Sequence, residues 1–96
     1  MRRCYLVCSD ISDARRLRQV HQTVKGYGIA WQYSVFFCIL KEIDRARLQT
    51  DLSEIIHHTE DQVTILDLGP DEDKARDRVT TLGRSLPTPC RNTIVI

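Results

Sequence analysis

Short continuous apolar runs alternate along this chain with stretches in which apolar residues recur every three or four positions. Cys4–Cys8 (CYLVC) is an apolar run ending at Ser9-Asp10, the mark of a buried strand with Asp10 at its carboxyl end. Leu17, Val20, His21 and Val24 then fall at i, i+3, i+4 and i+7, one stripe of an α-helix. Asp13 suits the N-cap of that helix, and Gly26 or Gly28 suits a left-handed residue ending it, which predicts a helix over 13–26. Ala30–Leu40 (AWQYSVFFCIL) is rich in aromatic and β-branched residues and predicts a long strand, bent or split. Trp31, Tyr33, Val35, Phe37 and Ile39 would share one face of it, and Gln32, Ser34, Phe36, Cys38 and Leu40 the other.

Leu48, Leu52, Ile55 and Ile56 repeat with helical spacing and predict a second helix over 43–57. Asp44 falls in its first turn and His57-His58 at its end, each where the helix dipole favours its charge. Adjacent helical histidines point about 100° apart, which makes them poor joint metal ligands. Gln62–Leu68 (QVTILDL) reads as a further strand closed by Gly69-Pro70, followed by an acidic loop, Asp71-Glu72-Asp73. Arg78–Leu82 (RVTTL) predicts a short strand before Gly83. Pro87-Thr88-Pro89 is an extended spacer, and Thr93–Ile96 a last apolar run.

This order predicts an α+β fold: a ferredoxin-like βαββαβ sandwich over residues 1–83 with an extra C-terminal strand, and a tail over 84–96. A strand apolar on both faces must be covered on both. Helices cover one; in so small a chain a second subunit is the simplest cover for the other, so the pattern predicts a homodimer.

Composition adds little until it is divided. The net charge is +1, yet residues 1–50 carry nine Lys/Arg against four Asp/Glu, and residues 51–96 five against nine. The halves are +5 and −4, which suits one face meeting an anionic partner, or two complementary solvated faces. The four cysteines form no CxxC pair and no zinc-finger spacing. With no signal-peptide pattern and no apolar run of membrane-spanning length, the expectation is a reduced, cytoplasmic protein with no membrane partner.

The candidate chemistry lies between Asp10 and Phe36. A strand-end carboxylate beside an arginine-bearing helix (Arg16, Arg18) suits a metal ion and a phosphate backbone. The plainer alternatives are that Asp10 caps the turn into the helix and that the arginines are a solvated face. Phe36 can stack a base or pack in the core. Ser34 has no marked base partner, and His21 falls on an apolar stripe.

The pattern Asp10-Ile11-Ser12-Asp13, Arg16-Leu17-Arg18-x-Val20, Tyr27-Gly28 and Gln32-Tyr33-Ser34-Val35-Phe36 resembles the small second CRISPR-associated protein family, the compact partners of the CRISPR integrase. The resemblance is close over residues 4–40 and does not cover the tail after Gly83. It implies a ferredoxin-like homodimer packed sheet on sheet, with the strand at 78–82 crossing to the partner's sheet. It implies a magnesium-dependent (Mg2+) endonuclease of RNA or DNA that takes part in spacer acquisition, with duplex DNA, single-stranded RNA and the integrase subunit as partners. Under it, Asp10 binds the metal with its mate from the other subunit, Arg16 and Arg18 contact nucleic acid, and Gln32, Ser34 and Phe36 lie near the dimer cleft. Ser9 departs from the family, which often has Tyr there. Two rivals share the fold: a non-catalytic DNA-bridging scaffold of the integration complex, and a regulatory or toxin-like RNase unrelated to CRISPR.

Overall fold

A computed structural model describes residues 1–87. The chain runs β1 (Arg2–Asp10), α1 (Ala14–Lys25), β2 (Gly28–Gln32), β3 (Val35–Lys41), α2 (Glu42–Ile55), β4 (Gln62–Gly69) and α3 (Glu72–Asp77). The four strands form one antiparallel sheet in the order β2-β3-β1-β4, the ferredoxin-like arrangement. β1 is central, so its residues need partners on both sides: Leu6 sits between Phe37 and Leu66.

Both helices of the βαββαβ unit lie on one sheet face. Val20 and Val24 of α1 and Leu48 and Leu52 of α2 bury themselves against Tyr5, Val7, Phe36, Cys38 and Leu40. The predicted stripes are thus the packed ones. Asp13 is the α1 N-cap, its carboxylate accepting from the Arg16 backbone N–H at 2.9 Å. That bond holds the Asp13 carboxyl below its ordinary pKa. Burial pushes the Cys38 thiol up to about 12, so it behaves as a small hydrophobe.

The 30–40 run, expected bent or split, is the split form that the βαββαβ order requires: two strands broken at Tyr33-Ser34 into a hairpin, with a register shift between Ala30 and Gln32. The structure departs from the sequence-based expectations in several places. Neither Gly26 nor Gly28 is left-handed; Gly26 has φ −73°, and the positive φ angles belong to Gly69 and Gly83. Gly28 answers a different need: a Cβ there would meet the Phe37 carbonyl oxygen at 2.3 Å and Cys38 Sγ at 2.5 Å, so β2 approaches β3 only because the side chain is absent. Asp71-Glu72-Asp73 is no loop. Asp71 caps α3, accepting from the Lys74 N–H at 3.0 Å, and Glu72 and Asp73 fill the first turn, where the helix dipole favours negative charge.

The expected strand at 78–82 does not form within one chain: these residues join neither edge of the sheet, β2 or β4. They run over the second sheet face instead, where Ala75 of α3 is buried with Cys4, Trp31, Phe37 and Leu68, and Val79 and Leu86 pack against them. Trp31 stacks on Phe37 with centroids 4.4 Å apart, and the Arg76 guanidinium lies 5.4 Å from the Trp31 ring. Part of the cover expected from a second subunit therefore comes from the chain's own α3. The apolar run at 93–96 and most of the Pro87–Pro89 spacer lie outside the described residues.

Candidate metal and nucleic-acid site

Asp10 ends β1 opposite Gln62 of β4, and its neighbour Ser9 donates its backbone N–H to the Ser34 carbonyl at 2.9 Å. The backbone beneath Asp10 is thus tied on both sides, while the side chain is exposed and accepts no hydrogen bond from the described residues. Asp10 does not cap α1; Asp13 does. Among the described residues, no three His, Cys, Asp or Glu side chains come together to hold a metal ion. One free carboxylate oxygen pair per chain fits a hard cation such as magnesium only as half of a site. The Ser9 hydroxyl beside it is buried without a partner.

The segment leaving Asp10 is fastened by a residue that the sequence did not single out. Asp61, in the turn before β4, has no exposed side-chain surface and accepts five hydrogen bonds. Ser12 donates from its backbone N–H and its hydroxyl, at 2.9 and 3.1 Å. Arg16 donates from Nε at 2.7 Å and Nη2 at 3.2 Å, and the His57 backbone N–H donates at 2.8 Å. The Arg16 bond, more than any other, drives the Asp61 carboxyl far below the usual carboxylate range. Asp61 thus joins the β1–α1 loop to the α2–β4 turn. No local pattern marks this, because Arg16 and Asp61 are 45 positions apart.

The two arginines expected together are differently placed. Arg16 Nη2 also reaches Ser12 Oγ at 3.2 Å and Glu60 at 3.4 Å, so a phosphate would compete with carboxylates for it. Arg18 is exposed and in no ion pair among the described residues. Phe36 is only 2% exposed and lies beneath α1; it is a core residue and does not line a cleft. Gln32 is exposed at the end of β2. Ser34 is half-buried, and its Oγ shares a hydrogen bond of 3.2 Å with His21 Nε2, a partner unmarked in the sequence. Burial, and secondarily Lys25, hold the His21 pKa below its ordinary value, which favours the neutral ring. At the end of α2, His58 Nε2 lies 2.8 Å from the Ser53 carbonyl in the last turn, whereas His57 is folded into the Asp61 turn.

The sequence profile of CRISPR associated protein Cas2 matches residues 2–76. Among curated proteins, the chain is 35% identical over 96 residues to the CRISPR-associated endoribonuclease Cas2 of Geobacter sulfurreducens, covering 100% of both chains. It is 41% identical over 92 residues to CRISPR-associated endoribonuclease Cas2 1 of Rhodospirillum rubrum, covering 96% of this chain and 89% of the other. Among solved structures it superposes on Streptococcus pyogenes Cas2 with a TM-score of 0.74 at 29% identity, over 83% of this chain and 99% of that one. A hypothetical protein from Thermus thermophilus gives a TM-score of 0.77 at 28% identity, over 93% and 99% of the two chains.

Proposed function

The chain belongs to the CRISPR associated protein Cas2 family, and from that membership we propose that it is a dimeric, magnesium-dependent endonuclease that works beside the CRISPR integrase in spacer acquisition. The observation carrying this reading is Asp10: an exposed carboxylate without a protein partner among the described residues, on a backbone paired with β4 at Gln62 and tied through its neighbour Ser9 to Ser34. The relatives named as endoribonucleases support RNA as a substrate, and on the proposed role beside the integrase duplex DNA would be a second ligand. The thiols of Cys4, Cys8 and Cys38 are free, in keeping with a cytoplasmic setting, and no helix of the described residues is long and apolar enough to cross a membrane.

Two Asp10 carboxylates, one from each subunit, would hold the metal. When bound, magnesium polarises a phosphoryl oxygen and lowers the pKa of a bound water. The chain's own contribution is to fix the backbone that carries the Asp10 carboxylate. The Asp61 latch keeps the loop after Asp10 closed on the α2–β4 turn. Arg18 contacts the phosphate backbone, and Arg16, committed to Asp61, acts as a positioning residue.

The test is cleavage of single-stranded RNA and of duplex DNA across a magnesium series, with binding measured in chelator. Asp10→Asn is nearly isosteric and removes the charge, so it should abolish metal-dependent cleavage while leaving nucleic-acid binding intact. Wild-type cleavage by the Asn protein would overturn the assignment. If neither protein cleaves and both bind DNA, the scaffold reading replaces the enzyme.

A further inference from the structure

One face of α1 remains outside this account. Arg18, His21, Gln22 and Lys25 stand at i, i+3, i+4 and i+7 and share it. With Ala14, Leu17 and Tyr33 they line a pocket of about 350 Å³ between α1 and the β2–β3 turn. Tyr33 is 77% exposed, whereas Tyr5, Trp31, Phe36 and Phe37 are all buried. A lone exposed aromatic is ordinary on a protein surface. This one has an anchored neighbour: its ring stands T-shaped to His21 with centroids 5.1 Å apart, and His21 in turn packs against Phe36 at 5.5 Å and bonds Ser34 Oγ.

Two more observations mark the place. The hairpin tip is Tyr33-Ser34, and neither residue has positive φ, so it lacks the Asn-Gly type of chemistry that short hairpins favour. A local rule broken at an exposed tip is where function is to be sought. The tip is also tied to β1 through the Ser9–Ser34 backbone bond, one residue from Asp10. Neither Arg18 nor Lys25 has a carboxylate within ion-pair distance among the described residues.

An open π-face flanked by two unpaired cations is the equipment for an unstacked base and its phosphates. We propose that this pocket is a single-strand subsite, where Tyr33 stacks one splayed nucleobase and Arg18 and Lys25 take the adjoining phosphates. The inference rests on the reading of the chain as a nucleic-acid-binding protein and adds what that reading lacks, a means of preferring single strands over duplex. In a duplex the bases are already stacked and offer Tyr33 no face.

The experiment measures fluorescence anisotropy in chelator with labelled single-stranded RNA, single-stranded DNA of the same sequence, and the blunt duplex. Tyr33→Ala should weaken single-strand binding about tenfold, the usual loss for one stacked base, and weaken duplex binding far less. Tyr33→Phe keeps the π-face and should bind single strands as wild type does. Lys25→Ala should flatten the salt dependence by up to roughly 0.7 on a single strand. A loss confined to RNA assigns the subsite to RNA; an equal loss on both strands assigns it to any single strand. Wild-type single-strand affinity in Tyr33→Ala, or an equal loss on duplex, overturns this inference and leaves the nuclease reading standing. A wild-type protein that binds no nucleic acid removes both.

Discussion

The Asp61 carboxylate shows how one side chain can be structural and still govern the site beside it. Its acceptor capacity is filled by Arg16, Ser12 and the His57 N–H, and its side chain is shut from solvent. Its folded-state pKa is depressed, so its contribution to stability is fully present above the unfolded value of about 3.9. That contribution is lost as pH falls through the folded value. Asp61→Asn should therefore melt earlier than wild type at neutral pH, and the gap should close as pH drops below about 4. The loss should exceed that of Asp67→Asn, whose partner Arg3 at 2.9 Å is solvent-exposed and screened. Thermal melts across pH decide it, and a gap independent of pH would remove the ionic account. The same network separates the two arginines. Arg16→Ala should lower thermal stability. Arg18→Ala should leave it unchanged and flatten the salt dependence of duplex binding by up to roughly 0.9. Equal salt slopes in Arg18→Ala and wild type would return that residue to a solvated face.

At the scale of elements, what could be read from the chain was whatever depends on near neighbours. The α1 stripe, the Asp13 cap, the α2 stripe and the 62–68 strand all rest on contacts within a turn or along one strand, and each is where its spacing put it. The misplaced pieces depend on distant partners. The 78–82 segment has strand-forming residues and joins neither edge of its own sheet; the Asp71–Asp73 charges look like a loop until Asp71 caps a helix. Of the candidate site, Asp10 and Arg18 were legible as exposed charges on regular elements. The Asp61 latch and the His21–Ser34 bond were not, since each joins residues that only the fold brings together. Gly28 belongs with these. Its glycine looks like a helix terminator, yet its role is to let β2 lie against Phe37 and Cys38. Gly28→Ala should cost about 1–3 kcal/mol through overpacking. At about 4–8 °C per kcal/mol for a domain of this size, the fall in Tm is readily seen. An Ala protein that melts with wild type would mean that the hairpin shifts freely.

At the scale of the whole molecule, the open question is what covers the rest of the second sheet face. α3 shields Trp31 and Phe37, but Leu66 remains 51% exposed and Leu82 91% exposed. Leu6, Trp31, Val35, Val79, Leu82 and Leu86 border a groove of about 340 Å³ there. A second copy packed on this face would bury those leucines and give the 78–82 segment a second sheet edge to join. The expectation is a homodimer at micromolar concentration. Leu82→Arg should weaken it, since burying one leucine contributes about 1.5–3 kcal/mol, or roughly tenfold to a hundredfold in the dissociation constant. Activity supplies an independent check. A metal held by one Asp10 from each subunit exists only in the dimer, so specific cleavage activity should fall on dilution in step with the dimer fraction. In Leu82→Arg the same fall should come at higher protein concentration, and adding protein should restore activity. Sedimentation measures the dimer fraction and RNA cleavage the active fraction, in the same buffer. A wild-type monomer would remove the shared site. A Leu82→Arg protein that dimerises as tightly as wild type would place the interface elsewhere. Activity independent of dilution through the dissociation range would mean that each chain carries a complete site of its own.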